Sequence, residues 1–209
     1  MVMRAIRNKR RALKIPLLIF TVVLSISLVG LFSYTPVEFN RSQSGVQARE
    51  LESLLDLERH LEQALKLEPD NAELQVSLGN TLYDLGVYYA GHGDTAKANR
   101  YFREATGPYE RALDIDPSLI GARVDLATAA YYAGLDELAE KHFQEAVRRE
   151  PDFVNGRINY GVFLYYRKED PKAALEQWQA ALALDLDPAL RSQLEAMVEM
   201  AEQAVKVNN

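Results

Sequence analysis

Two proline-closed boundaries, Asp116-Pro117 and Glu150-Pro151, lie 34 residues apart, and the stretch between them reads as helix, turn, helix. In its first half Leu126, Ala127 and Ala130 recur at helical spacing, Gly134 and Asp136 mark a turn, and Ala139, Phe143 and Ala146 share one face of the second half. Small residues at a helix crossing let two backbones approach closely, and one large ring fills the remaining gap. Such a pair cannot bury its apolar face alone, so it must stack on neighbours before and behind it.

Neighbours are present on both sides. Downstream, Tyr160-Gly161 and Leu164 repeat the first-helix pattern, Asp170-Pro171 supplies a cap and first helical residue, and Ala174, Trp178 and Ala181 repeat the second. The closing Pro188 arrives late, after Asp185-Leu186-Asp187. Upstream, 48 residues separate Pro69 from Pro117, and two registers seven residues apart both fit. Leu78-Gly79 with Leu82 competes with Leu85-Gly86 and Tyr89, and Ala98, Phe102, Ala105 competes with Ala105, Tyr109, Ala112. One heptad added to each arm explains both, since seven residues is nearly two helical turns and preserves the buried face. The tip is then Gly91-His92-Gly93-Asp94, with Asp94 as cap, and Gly107-Pro108 is expected to kink or interrupt the second arm. Leu51, Leu54, Leu55, Leu61 and Leu65 predict a helix upstream, and Leu57, Leu61, Ala64 and Pro69 match a second repeat helix without its first. Leu194, Met197, Val198 and Ala201 predict a last amphipathic helix, with Glu195, Glu199, Glu202 and Gln203 on its polar side.

These residues resemble the tetratricopeptide (TPR) family over residues 47–207. The resemblance implies an all-α solenoid of antiparallel helix pairs: a half-repeat helix over 47–68, an extended repeat over 71–117, repeats over 118–151 and 152–187, and a capping helix over 188–207. In that family the first helices form a concave wall that holds a protein or peptide client. By matching positions, the wall here is Asn80, Tyr83, Val124, Asp125, Thr128, Tyr131, Tyr132, Asn155, Ile158, Asn159, Val162, Tyr165 and Tyr166. Tyrosine suits recognition because it offers broad apolar area and a hydroxyl with few rotors to freeze. The same rings would also suit a packed interior, and helix rotation decides between the two. Chaperone-docking members clamp a terminal carboxylate with Lys, Asn and Arg, whereas the matching positions here are Val76, Val124 and Ile158. An extended or helical peptide with apolar side chains is the expected client.

Ahead of the repeats, Arg4, Arg7, Lys9, Arg10, Arg11 and Lys14 place six basic groups and no acid in residues 1–14. The other 18 of the 24 basic residues face 30 acidic ones, so the body repels nucleic acid and anionic headgroups. Residues 15–34 carry no charge. Twenty residues at a rise of about 1.5 Å span about 30 Å, a bilayer core. Pro16 falls in the first turn and Tyr34 at the far end. The stretch exceeds the apolar core of a cleaved signal peptide and lacks a small-x-small site, so a single-pass signal anchor is expected, with residues 1–14 cytoplasmic and the repeats extracytoplasmic. Residues 35–46 read as a tether. One anchor and a TPR body are also similar in architecture to ancillary translocon subunits and to the TPR component of cytochrome c maturation.

Catalysis is not expected. Without cysteine, thiolate chemistry and cysteine-bound zinc are excluded. His60 and His142 are expected on solvated faces and His92 at the hairpin tip, none with metal-ligand spacing, and Gly91-His92-Gly93 is not a phosphate loop. No cofactor or metal is expected. Self-association through the half-repeat 47–67 is the alternative to client binding.

Overall fold

The computed structural model describes residues 36–208, and the side chains of residues 48–207. The chain divides into two compact units, 1–45 and 46–209; the described part of the first, residues 36–45, is helical. The expected span 15–34 and the basic flank 1–14 lie outside the described residues. Among the described residues, no helix is long and apolar enough to cross a membrane.

Eight helices and no strand make up the described residues: α1 (Pro36–Leu67), α2 (Ala72–Gly91), α3 (Thr95–Ile115), α4 (Ile120–Tyr132), α5 (Asp136–Arg149), α6 (Val154–Tyr166), α7 (Pro171–Leu182) and α8 (Pro188–Asn208). The segment 36–46, expected as a tether, belongs to α1. The lone glycine of α1, Gly45, costs only about 1 kcal/mol.

The second unit is a row of antiparallel pairs, α2 with α3, α4 with α5, and α6 with α7, with α8 packed on α7 and Leu61 of α1 in the core cluster of α2, α3 and α4. Asn71, Asp94 and Asp170 cap α2, α3 and α7 by accepting from the backbone N–H three residues on. Asp187 does the same for Leu190 at the start of α8. Within the pairs, the turns 92–94 and 133–135 each pass through a left-handed glycine, Gly93 (φ 78°) and Gly134 (φ 72°). The turn 167–170 is one residue longer and uses Glu169 at φ 53°, a conformation that costs a side-chain-bearing residue about 1 kcal/mol.

At 20 and 21 residues, α2 and α3 are each seven longer than α4 and α5, at 13 and 14. Both sequence registers are occupied at once. A methyl added to Gly86 would come within 2.6 Å of the Phe102 ring, and one added to Gly79 within 2.7 Å of Tyr109. Moving seven residues back along α2 thus moves seven forward along α3, and the same ring-on-glycine contact recurs. Ala127 with Phe143, in one core cluster, and Gly161 under the Trp178 indole hold the corresponding places in the next two pairs. The proline does not interrupt α3, which runs unbroken through Pro108. Tyr101, Phe102 and Ala105 before it, and Tyr109, Ala112 and Leu113 after it, are all buried, and this continuous packing outweighs the lost hydrogen bond.

Each first helix is also tied to the turn before it by its fourth residue. Gln75 donates to the Pro69 carbonyl (3.3 Å), Arg123 to Pro117 (3.0 Å), and Arg157 to Pro151. Arg191 of α8 donates to the carbonyls of Leu182 and Leu184 at 3.2 and 3.1 Å. These carbonyls stand at or just beyond the C-terminal end of the preceding helix, where partial negative charge favours a cation.

Candidate functional site

The first helices α2, α4 and α6 stand side by side, with α4 in contact with both others. Between them opens a cleft of about 340 Å³ lined by Asn80, Tyr83, Asp84, Tyr109, Asp125, Thr128 and Asn159. Five of these, Asn80, Tyr83, Asp125, Thr128 and Asn159, are expected wall residues. The other two, Asp84 and Tyr109, are additions that the sequence alone did not supply. Tyr109 comes from the second helix α3, and its hydroxyl reaches the wall by donating to Asn80 Oδ1 at 2.7 Å. Asn159 Nδ2 donates to Thr128 Oγ1 (3.3 Å), whose own hydroxyl donates to the Val124 carbonyl (2.8 Å).

Desolvation governs the electrostatics. Burial raises the Asp125 carboxyl to about 6 and lifts Asp84 above its usual range. It also pushes the Tyr83 and Tyr109 phenols well above their ordinary value, the charges of Asp125 and Asp84 adding to the effect. All phenols here are therefore neutral hydrogen-bonding groups at physiological pH.

Beside the cleft runs an aromatic strip. Tyr83 packs on Phe102 (ring centroids 5.3 Å) and Tyr132 (6.1 Å), and Tyr132 meets Tyr131 at 4.9 Å. Tyr165 touches Tyr166 at 4.9 Å and Trp178 at 5.6 Å. The slot shared by Tyr83, Tyr131 and Tyr165 is half-buried, with Tyr131 and Tyr165 packed on the larger core cluster. Tyr132 and Tyr166 are the open ones, each 40% exposed. Arg167 fixes Tyr131 further, its guanidinium 5.2 Å from the ring centre and Nη2 donating to the Tyr131 carbonyl at 3.1 Å. Asn155 is exposed at the start of α6, while Ile158 and Val162 are half-buried against the core.

Two expectations need correction. Val124 is not on an open wall: it is 1% exposed, because α6 lies over it with Gly156 close enough that a methyl there would sit 3.4 Å from Val124 Cγ2. His142 is not on a solvated face: it is 8% exposed, with Nδ1 3.5 Å from Arg123 Nη1. Burial, then the charges of Lys141 and Arg123, lower its pKa to about 4, so the ring is neutral at pH 7. Among the described residues, no group of three or more His, Cys, Asp or Glu is placed to hold a metal ion.

No family model matches the chain. Among solved structures, it is similar to a crystal structure of MamA at TM-score 0.53 and 17% identity, covering 78% of this chain and 84% of that one. A second MamA structure, from AMB-1, gives TM-score 0.53 and 16% identity over 78% of this chain and 86% of that one. YrrB, described as a TPR protein with an unusual peptide-binding site, is 21% identical at a TM-score of 0.39, covering 71% of this chain and 88% of that one. At these identities the MamA likeness speaks to fold, and the fold is a TPR-type stack of helix pairs.

Proposed function

We propose that this chain is a non-enzymatic TPR scaffold, tethered by a single span over residues 15–34, that holds a protein client on the extracytoplasmic side of a bacterial-type membrane. The observation that carries the binding role is the first-helix wall: a 340 Å³ cleft flanked by tyrosines, two of them open to solvent. Rings with few rotors, already braced by their neighbours, lose little entropy on binding. The likeness to other TPR proteins supports the class of function; the uncharged 20-residue stretch behind six basic groups supports the anchor. Assistance to the assembly of an envelope complex, in the manner of translocon or cytochrome c maturation accessory proteins, is the form of scaffolding this architecture suits.

Two measurements test the reading. Tyr132→Ala/Tyr166→Ala should cut client capture by the full-length chain at least about tenfold, the loss typical of an interface hot-spot pair, with helix content unchanged by circular dichroism; undiminished capture rejects the wall. The cysteine-free chain also permits a single reporter, Gln193→Cys, at an exposed position. A membrane-impermeant maleimide should label it in intact cells, and labelling only after lysis rejects the topology.

A second reading is self-association through α1, where Leu57 and Leu67 are 46% and 84% exposed. It requires a dimer that dissociates on dilution in sedimentation or size-exclusion experiments.

A further inference from the structure

We propose that the cleft between α2 and α4 seats a lysine or arginine side chain of the client, so that the wall selects peptides with a basic residue beside apolar ones. The inference rests on the peptide-wall reading and names what that wall prefers.

The hydrogen-bonding inventory of the cleft is unbalanced. Tyr109 spends its hydroxyl proton on Asn80, and Asn159 turns its amide to Thr128. Asp84 and Asp125 also line the cleft, and no Lys, Arg or His does. Among the described residues, neither carboxylate has an ion-pair or hydrogen-bond partner. Three carboxylates elsewhere in this unit are paired within it: Asp136 with Arg167 at 3.2 Å, Glu140 with Lys168 at 2.8 Å, and Glu145 with Arg148 at 2.8 Å. The cleft therefore keeps acceptors in excess, in a partly enclosed space where unneutralised charge is costly. Burial raises both carboxyl groups and no cation lowers either.

An incoming ammonium or guanidinium would satisfy both carboxylates with charge-assisted hydrogen bonds, and the half-buried Tyr83 ring offers a face that favours a cation. A divalent metal fits worse, since two carboxylates fall short of the oxygen set such ions require. In the proposed topology the basic residues of 1–14 would lie across the bilayer and would not serve as occupant. Beside the cleft, Tyr83 continues into the Tyr132 and Tyr131 rings, and Val87, one helical turn along α2, is 48% exposed. The neighbouring client residues are thus aromatic or aliphatic.

The test is selection from a random dodecapeptide library displayed on phage, using the immobilised full-length chain in detergent at pH 7.5. Selected sequences should carry Lys or Arg next to an apolar residue. Asp84→Asn/Asp125→Asn should lose the basic preference and keep the apolar one, and a synthetic peptide from the wild-type pool should bind it at least about tenfold more weakly. Asp84→Lys, a change at an exposed position, should abolish the basic preference on its own and decides the matter should the double variant not fold. Apolar sequences without basic residues, selected equally by wild type and variants, would overturn the cation seat and leave the wall standing. If the wild type selects nothing beyond what Tyr132→Ala/Tyr166→Ala selects, both readings fall.

Discussion

The His142 ring lies 3.5 Å from the Arg123 guanidinium, with Lys141 and Glu145 also facing it. Its pKa, about 4, is below the ordinary 6.5, so the unfolded chain takes up the proton first on acidification. The stability this ring contributes is complete above pH 6.5 and is lost as pH falls toward 4. Asp125, at about 6, acts in the opposite sense, because its ionised form is disfavoured in the fold and protonation relieves it. Comparing His142→Gln with wild type cancels that common term. Between pH 6.5 and 5 the wild type should lose on the order of 1 kcal/mol more than the variant, as read by urea denaturation, a figure discounted for solvent screening. The burial of His142 was not legible in the sequence, because its partner Arg123 stands 19 residues earlier on another helix and no spacing signal joins the two. Tyr109 escaped for a related reason: assigned as packing on α3, it packs and also carries a hydroxyl into the wall.

At the scale of the helix, ring-on-glycine contacts and turns obey different rules. Gly86→Ala meets Phe102 at 2.6 Å and should cost about 1–3 kcal/mol through overpacking. Glu169→Gly relieves a left-handed residue at φ 53° and should stabilise by about 0.5–1 kcal/mol. Thermal melting of the two variants should move in opposite directions, and a loss of stability in both would contradict the turn geometry. Helix identity and pairing were legible because spacing alone forces them: a Leu-Gly pair needs a ring across from it. The rotation of each wall helix was not. Whether Val124 faces a client or α6 depends on how closely α6 approaches, and that follows from Gly156, a residue outside the pattern.

For the whole stack, the long α2–α3 hairpin makes a sharp case. Two registers competed in the sequence because both are built, one atop the other. Deleting residues 80–86 together with 102–108 would remove one layer and join Gly79 to Val87 and Tyr101 to Tyr109. The shortened hairpin keeps Gly79 opposite Tyr109 and should fold cooperatively, whereas deleting either heptad alone should slip one arm past the other and abolish a single sharp melt. The paired deletion also removes Tyr83 and Asp84 from the wall, so folding survives while the cleft does not.

The ties from Gln75, Arg123, Arg157 and Arg191 each join a helix to its immediate predecessor and skip none. Orientation along the array is therefore inherited link by link. A change in angle at one joint is carried to everything beyond it, so the curvature offered to a client depends on these ties together with the packing of each pair on the next.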